Sequence, residues 1–158
     1  IDDPEALDLA ESFGIGVVLH GVGPKGSLRR AALDIGIPAI IYEAGEPMRF
    51  QEQEIAAGVR GVRNVMAHLG MMQREEKLEP RAQLYRKTRW VRAGKQGGIF
   101  LTSRVPGESV SKGDLLGTIT DLVTDEREEV LAPVDGKIIG MAVPQIVLPG
   151  YGLFHLGI

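Results

Sequence analysis

The hydrophobic periodicity of the chain changes once along its length, and this change limits the possible folds more than any other feature. Before residue 73, apolar residues recur at helical spacing or in short runs between helices. After residue 88, Gly and Pro separate many short apolar runs, which is typical of a small β domain. The sequence therefore predicts a partial α/β domain at 1–72, a charged linker at 73–88 and a small all-β domain at 89–158.

The first part of the chain alternates helices with strands, as in an α/β layer with a parallel sheet. We predict helices at 2–13, 28–35 and 51–72, and strands at 16–19 and 37–42. One face of the third helix carries Ile55, Val59, Val62, Met66 and Leu69. Two strands leave a sheet edge open and apolar faces uncovered, so we expect further strands from outside this sequence.

The predicted β domain contains an internal repeat. Val110, Gly113, Leu116 and Ile119 recur 37 residues later as Val147, Gly150, Leu153 and Leu156. A second match aligns Gly97 and Ile99 with Gly136 and Ile138. The glycines fit tight turns with positive φ, and the aliphatic residues fit a shared core. The repeat predicts two similar halves that interlock.

The charge balance argues against nucleic acid and membranes as partners. Eighteen Lys and Arg residues stand against 21 Asp and Glu residues, a formal net charge of −3. One basic run contains two aromatic residues: Arg81, Tyr85, Arg86, Lys87, Arg89, Trp90, Arg92 and Lys95. Nucleic-acid binding is one interpretation of such a run, but the acidic balance elsewhere favours interdomain salt bridges or a solvated strand face. The longest uncharged stretch, 138–158, contains Pro and Gly residues that break a membrane helix.

The sequence has no cysteine, which excludes disulfides, thiolate metal sites and a Cys nucleophile. This composition fits a reducing compartment, and we expect a cytoplasmic protein. The three histidines, His20, His68 and His155, form no pair with metal-ligand spacing. We therefore expect no metal site built wholly within this chain, because zinc sites need three or four convergent ligands.

Glu43 is the candidate catalytic residue, because it directly follows the apolar segment 37–42 and precedes a turn that contains Gly45. A carboxylate there would emerge at the carboxyl edge of the sheet, where ligands of open α/β folds bind. Partial desolvation would suit it to take a proton from water and pass it on. The alternative is a strand-end glutamate that caps the next turn or pairs with an arginine. We expect Glu46 to be a solvated turn residue.

Arg29 is the candidate substrate-binding residue. Arg29 and Arg30 open the second helix after the Gly-rich loop 21–26, where an arginine can clamp a substrate carboxylate through two parallel hydrogen bonds. The alternative is a solvated arginine on the helix surface. The loop lacks the Gly-x-x-x-x-Gly-Lys-Ser/Thr spacing of a phosphate-binding loop, so we do not expect a nucleotide.

Six segments carry a resemblance to a known family: Gly26–Arg29, Gly36–Glu46, Ala57–Val62, His68–Gly70, Gly107–Gly117 and Ala132–Gly136. The first four resemble the later part of the catalytic domain of the succinylglutamate desuccinylase/aspartoacylase family, a metallocarboxypeptidase-like α/β layer. The last two resemble the β domain that this family appends, which is similar to biotinyl/lipoyl-type barrel-sandwich folds. The resemblance covers nearly the whole chain.

The resemblance implies a function. Members of this family are zinc-dependent hydrolases that cleave N-acyl amide bonds of acylated amino acids, so it implies a small-molecule acylated substrate. It implies that Glu43 is the general base, which activates water and later protonates the leaving amine, and that Arg29 anchors the substrate. The family's zinc ligands, a His-x-x-Glu pair and a later His, lie upstream of the matched region and have no counterpart here.

The resemblance therefore implies the C-terminal portion of a zinc-dependent amide or ester hydrolase, inactive by itself, whose open sheet edge favours a homo-oligomer. Two other functions stay open. The first is a non-enzymatic binding or assembly module built on the β domain. A carrier of lipoate or biotin would bear it on a lysine such as Lys112 or Lys137, but neither lies in the hairpin context that such carriers modify.

Overall fold

A computed structural model describes residues 3–73 and 82–158 of the chain. The chain divides into two compact units, Ile1–Tyr85 and Arg86–Ile158. The first unit is mixed α/β, and the second is built from antiparallel sheets. None of the helices that the structure describes is both long and apolar enough to cross a membrane.

Three helices form most of the first unit: α1 (Pro4–Phe13), α2 (Leu28–Asp34) and α3 (Glu52–His68). The Asp3 carboxylate caps α1 by accepting hydrogen bonds from two amides of its first turn. Gly14, at a φ of 81°, ends that helix in the left-handed conformation that glycine tolerates best. The Ser27 hydroxyl accepts from the amide of Arg30 and caps α2. All three predicted helices are confirmed, although α3 is shorter than predicted.

The first unit contains one parallel strand pair, β1 (Val17–Leu19) with β2 (Gln83–Tyr85). Strand β1 confirms the strand predicted at 16–19. Strand β2 lies inside the predicted linker 73–88, of which residues 74–81 are outside the described part of the chain. No other described strand pairs with β1 or β2. Among the described residues, the outer hydrogen-bonding edges of this pair therefore have no partner strand.

The strand predicted at 37–42 is wrong, because these residues form no strand pairing with any described residue. The amide of Ile37 donates to the carbonyl of Ala32, next to the end of α2. Ile37 and Ile41 are more than half exposed. A strand forms only where a neighbouring strand completes its hydrogen bonds, and the described residues place none beside this segment. Its apolar pattern indicated burial on both faces but not which strands would provide it.

The apolar face predicted on α3 is present, but the described residues leave it uncovered. Its members are between 38% and 55% exposed: Ile55, Val59, Val62, Met66 and Leu69. The helix packs instead through two glycines, since Gly61 lies against the ring of Phe13 and Gly58 against the ring of Tyr42. A Cβ at Gly58 would lie 2.9 Å from the Tyr42 ring. These contacts offset the roughly 1 kcal/mol that a glycine inside a helix costs relative to alanine.

The second unit consists of two four-stranded antiparallel sheets. The first sheet has the order β3 (Thr88–Arg92), β10 (Gly152–Gly157), β8 (Gly136–Met141) and β5 (Ser109–Val110). The second has the order β7 (Arg127–Leu131), β6 (Leu115–Thr120), β4 (Gly98–Leu101) and β9 (Ile146–Val147). Residues from both sheets bury one core, whose largest members include Phe100, Ile119, Ile138 and Phe154.

The strand pairing confirms the internal repeat. Strand β5 pairs with β8 as β9 pairs with β4, and β6 pairs with β4 as β10 pairs with β8. All six aliphatic residues of the repeat are buried: Val110, Leu116, Ile119, Val147, Leu153 and Leu156. Gly113 and Gly150 both have positive φ, as the predicted turns require. Each sheet therefore takes strands from both halves of the repeat.

The structure corrects the second match of the repeat by one residue and adds a third match. Strand β9 pairs with Gly98 as β5 pairs with Gly136, so Gly98, and not Gly97, is the equivalent position. The edge strands β3 and β7 are also equivalent, since each is followed by a buried alanine, Ala93 or Ala132. The sequences of these two strands share only Val-x-Ala, which is too short a pattern to identify a repeat.

Candidate functional site

Glu43 lies directly after the segment 37–42 and is exposed. Among the described residues, its carboxylate takes part in no hydrogen bond or ion pair. The expected partial desolvation is therefore absent from the described structure, and Glu43 neither caps the next turn nor pairs with an arginine there. Its role as general base stays a prediction.

The turn after Glu43 is held by polar contacts. The side-chain oxygen of Gln51 accepts from the amide of Glu46 at 2.6 Å, and Arg49 Nη1 donates to Glu46 Oε2 at 2.8 Å. Met48 has a φ of 64°, in the left-handed region that residues other than glycine seldom occupy. Glu46 is thus a turn residue, as predicted.

Tyr42, directly before Glu43, fixes this segment to α3. Its hydroxyl donates to the carbonyl oxygen of Glu54 at 3.0 Å and lies 3.4 Å from Glu54 Oε2. Burial, and then the Glu54 carboxylate, raise the pKa of Tyr42, so the hydroxyl keeps its proton as a donor. Its ring centroid is 5.2 Å from that of Phe13. Sequence reasoning missed this anchor, and the available signal was the mid-helix Gly58, which leaves room for the ring.

Arg29 folds back on the Gly-rich loop 21–26. Its Nη1 donates to the carbonyl of Gly21 at 2.9 Å, and a Cβ at Gly23 would lie 2.9 Å from its Nη2. Its Nε is buried and has no hydrogen-bond partner among the described residues. The loop therefore positions the guanidinium and leaves one donor unsatisfied. No hydrogen bond or ion pair of the described structure joins Arg29 to Glu43, and a substrate-binding role for Arg29 stays a prediction.

The histidines serve different local contacts. His68 Nε2 lies 2.7 Å from Asp8 Oδ2 and links α3 to α1, whereas the ring of His155 stacks on Trp90 with centroids 4.3 Å apart. His20 directly follows β1. Residues 3–73 and 82–158 contain no group of three His, Cys, Asp or Glu side chains that could hold a metal ion.

From Arg86 onward the basic run lies on β3 and its flanks in the second unit, whereas Tyr85 ends β2 in the first unit and Arg81 lies outside the described residues. From Arg86 to Arg92, every residue except Val91 is exposed. Arg92 lies 5.8 Å from the centroid of the Trp90 ring and donates to the carbonyl of Gly150 at 3.0 Å. These positions agree with the solvated strand face that the sequence favoured.

An open apolar groove of about 840 Å³ in the first unit was missed by sequence analysis. Its lining includes Leu9, Phe13, Ile40, Tyr42, Val59 and Met66. Neither Glu43 nor Arg29 lines it. The groove is therefore not built around either predicted site residue.

No protein-family model and no curated protein matches the chain. Solved structures do match its fold. The ectoine utilization protein EutE (DoeB) from Ruegeria pomeroyi, in its apo form, matches 98% of this chain and 50% of its own, with a TM-score of 0.88 at 21% identity. A succinylglutamate desuccinylase/aspartoacylase from Rhodobacter sphaeroides matches 100% of this chain and 52% of its own, with a TM-score of 0.78 at 23% identity. An aspartoacylase family protein from Mesorhizobium loti matches 98% and 48%, with a TM-score of 0.74 at 15% identity.

The chain thus spans about half the length of these structures while matching them over nearly all of its own. At these identities the likeness establishes the fold alone, a mixed α/β arrangement with antiparallel sheets that is similar to the fold of the succinylglutamate desuccinylase/aspartoacylase structures.

Proposed function

We propose, from the succinylglutamate desuccinylase/aspartoacylase fold of this chain, that it is part of a hydrolase that cleaves an N-acyl amide bond, or a related ester bond. The substrate would be an acylated amino acid or a similar small molecule. The observation that carries the proposal is the match of 100% of the chain to a succinylglutamate desuccinylase/aspartoacylase, with a TM-score of 0.78. The activity is proposed for a longer protein, and residues 1–158 alone are expected to be inactive. Its proposed location is the cytoplasm.

Glu43 is the general base of the proposed reaction. Its carboxylate is exposed and forms no hydrogen bond or ion pair with any described residue, so it can accept a proton from the attacking water. As the water oxygen bonds to the acyl carbon and the C–N bond breaks, the carboxyl group returns that proton to the leaving amine. A base must stay within hydrogen-bond reach of the proton that it transfers. The contacts of Tyr42 and Gln51 support this role, since they hold the backbone on both sides of Glu43.

Arg29 is the substrate anchor of the proposal. Its loop contact orients the guanidinium, and a substrate carboxylate would accept hydrogen bonds from the terminal nitrogens, since Nε is buried. Arg30, in contrast, is already paired with Asp34 at 2.6 Å.

Zinc belongs to the proposal through the family resemblance. The described residues do not fit a metal centre, since they include no group of three potential ligands. The ligands of a zinc ion would have to lie outside the described residues, and no step above passes through the ion.

Glu43→Gln in the longer protein tests the proposal. We expect kcat to fall by about 10²–10⁴-fold with substrate binding retained, because the amide cannot accept the proton. The matched control is Glu46→Gln, a turn carboxylate three positions away, which should keep near-normal turnover. Retained turnover in Glu43→Gln would remove it from the mechanism, and equal losses in both variants would assign the effect to the turn instead.

For the second unit we propose a barrel-sandwich fold of the biotinyl/lipoyl type that mediates assembly into a homo-oligomer. The interlocked repeat supports this fold. A carrier role is not favoured, because the hairpin tip between β6 and β7, residues 121–126, contains no lysine. An intact mass without a lipoyl or biotinyl increment is the expected result.

A further inference from the structure

We infer that two copies of the protein associate through one side of the second unit, where the edge strand β3 of each copy faces the edge strand β7 of the other. The inference deepens the proposed function and rests on it, since it names the surface that forms the proposed homo-oligomer. We call residues 86–92 the basic edge and residues 125–131 the acidic edge. The basic edge contains β3, and the acidic edge contains β7.

The two edges carry opposite charge. The basic edge has four basic residues and no acidic residue, whereas the acidic edge has four acidic residues and one arginine. All of these charged residues are exposed except Glu128, which is partly buried. None of them forms an ion pair with another described residue. Charges that stay unpaired within one copy can pair with the opposite charges of a second copy, whereas two basic edges would repel each other.

The internal repeat gives the two edges equivalent positions in the fold. Strands β3 and β7 each lie at the edge of a four-stranded sheet, and each directly precedes a buried alanine. When the two strands are aligned through these alanines, Arg89 corresponds to Glu128, and Lys87 corresponds to Glu126. The repeat therefore places opposite charges at matching positions of two similar strands, which makes a second copy of this chain a charge-complementary partner.

Both edges lie on the same side of the second unit. The Glu128 carboxylate accepts hydrogen bonds from the amide of Gly94 at 3.0 Å and from the amide of Gln96 at 3.1 Å. Gln96 Nε2 also donates to Glu126 Oε2 at 2.8 Å. These contacts join the turn after β3 to β7. A two-fold axis at this side therefore lets the basic edge of each copy face the acidic edge of the other, and this arrangement closes as a dimer.

The copies should meet through side chains. Strands β3 and β7 each pair with only one described strand and have five residues each, whereas the edge strands β5 and β9 have two. Charged side chains along an edge strand disfavour a continuous sheet between copies. Trp90 is 50% exposed and Leu131 is 46% exposed, so both can add apolar contact area beside the charges.

Sedimentation equilibrium of the longer protein tests the interface. We expect a dimer at about 0.05 M salt, with a dissociation constant that rises at least about tenfold at about 0.5 M salt, because salt screens exposed charges. A protein that stays monomeric at about 100 μM, a dimer that salt does not weaken, or an open chain of copies would each overturn the inference.

Two substitutions of the same kind separate the interface from a general charge effect. Arg89→Glu adds a negative charge to the basic edge, whereas Arg127→Glu removes the one basic residue of the acidic edge. Both change the net charge of the chain equally. We expect Arg89→Glu to raise the dissociation constant of the dimer at least about tenfold, and Arg127→Glu to lower it about threefold. A change in the same direction, or no change in either variant, would overturn the inference.

Lys112→Glu is the matched control. Lys112 is exposed and follows β5, at the opposite edge of the first sheet from β3, so this variant should dimerise like the wild type. An equal loss of dimer in Lys112→Glu and Arg89→Glu would overturn the inference. Acyl hydrolysis is measured on the same samples. A salt-sensitive dimer without hydrolysis would overturn the proposed hydrolase activity alone, and hydrolysis by a protein that stays monomeric would overturn the interface alone.

Discussion

The two units of the chain differ sharply in how many apolar residues they bury. The second unit encloses one cluster of 13 buried residues. The described part of the first unit buries five apolar residues: Ala6, Ala10, Phe13, Val18 and Tyr85. Both units show clear hydrophobic periodicity in sequence. Hydrophobic periodicity therefore identifies the residues that form an apolar face. Whether that face is buried depends on which helices and strands lie next to it.

The cause of the difference lies in the connections. In the second unit, each half of the repeat contributes strands to both sheets, so every inward side chain meets a partner from the same unit. In the first unit, α3 packs on α1 through glycine contacts, and the one strand pair has only three residues per strand. The second unit buries its apolar residues by itself, whereas the described residues of the first unit do not cover the apolar face of α3.

The largest expected effect comes from separating the units. Residues 86–158 expressed alone should fold, since their core is complete within the unit, and should give dispersed amide NMR signals and a cooperative thermal transition. Residues 1–85 alone should show neither, because the apolar face of α3 stays about half exposed. A cooperative transition for residues 1–85 would break the comparison.

The next largest effect is a matched pair of core truncations. Phe154 is fully buried, with its ring centroid 5.7 Å from that of Phe100, and Phe154→Ala should destabilise the second unit by about 3–5 kcal/mol. Ile55 is half exposed, so Ile55→Ala in residues 1–158 should cost less than about 1.5 kcal/mol. Denaturant unfolding followed by NMR measures each unit separately. A cost for Ile55→Ala near that of Phe154→Ala would show that the apolar face of α3 is already covered.

A glycine pair should give a smaller effect within the second unit. Gly98 and Gly107 both have positive φ, but a Cβ at Gly98 would overlap the carbonyl of Thr120, whereas a Cβ at Gly107 meets nothing within 4 Å. Gly98→Ala should therefore destabilise by about 1–3 kcal/mol more than Gly107→Ala, which carries the backbone strain alone. Thermal melts of the two variants measure the difference, and equal costs would mean that β4 and β6 pack less closely than the structure shows.

The units also differ in how far their folds could be predicted from the sequence. In the second unit, the positions of Val110, Gly113 and Leu116 and their repeats predicted buried residues and turns correctly, because this core is built from nearby residues of one unit. The one-residue error at Gly97 arose because adjacent glycines look alike in sequence, and strand pairing alone tells them apart. In the first unit, helix caps such as Asp3 and Ser27 are local and were predictable.

The conformation of residues 37–42 and the surroundings of the candidate site were predicted less well than the second unit and the helix caps. A strand depends on a neighbour that periodicity does not identify, and the described residues provide none beside 37–42. Glu43 was chosen as the candidate base from its position after an apolar run. Its expected burial would require neighbouring side chains, and the described residues do not supply them. Tyr42 and its bond to Glu54 were missed, because a hydrogen bond across 12 positions leaves no periodic pattern and the available signal was a single glycine, Gly58.

The smallest expected effect is a pH dependence at the β6–β7 hairpin, where the second unit is most exposed. Asp121 Oδ1 accepts from the amides of Val123 and Thr124, and these hydrogen bonds lower the pKa of Asp121 below its usual 3.8. A carboxyl group whose pKa is lower in the folded state stabilises the fold above its unfolded-state pKa and loses this contribution as pH falls through its folded-state pKa. Asp121→Asn keeps an acceptor oxygen but not the charge, so it should be slightly less stable than wild type near pH 6. The two proteins should converge once the pH has fallen below the folded-state pKa of Asp121. Thermal melts across this range measure the gap, and a gap that stays constant with pH would show that the amide contacts do not depend on the carboxylate charge.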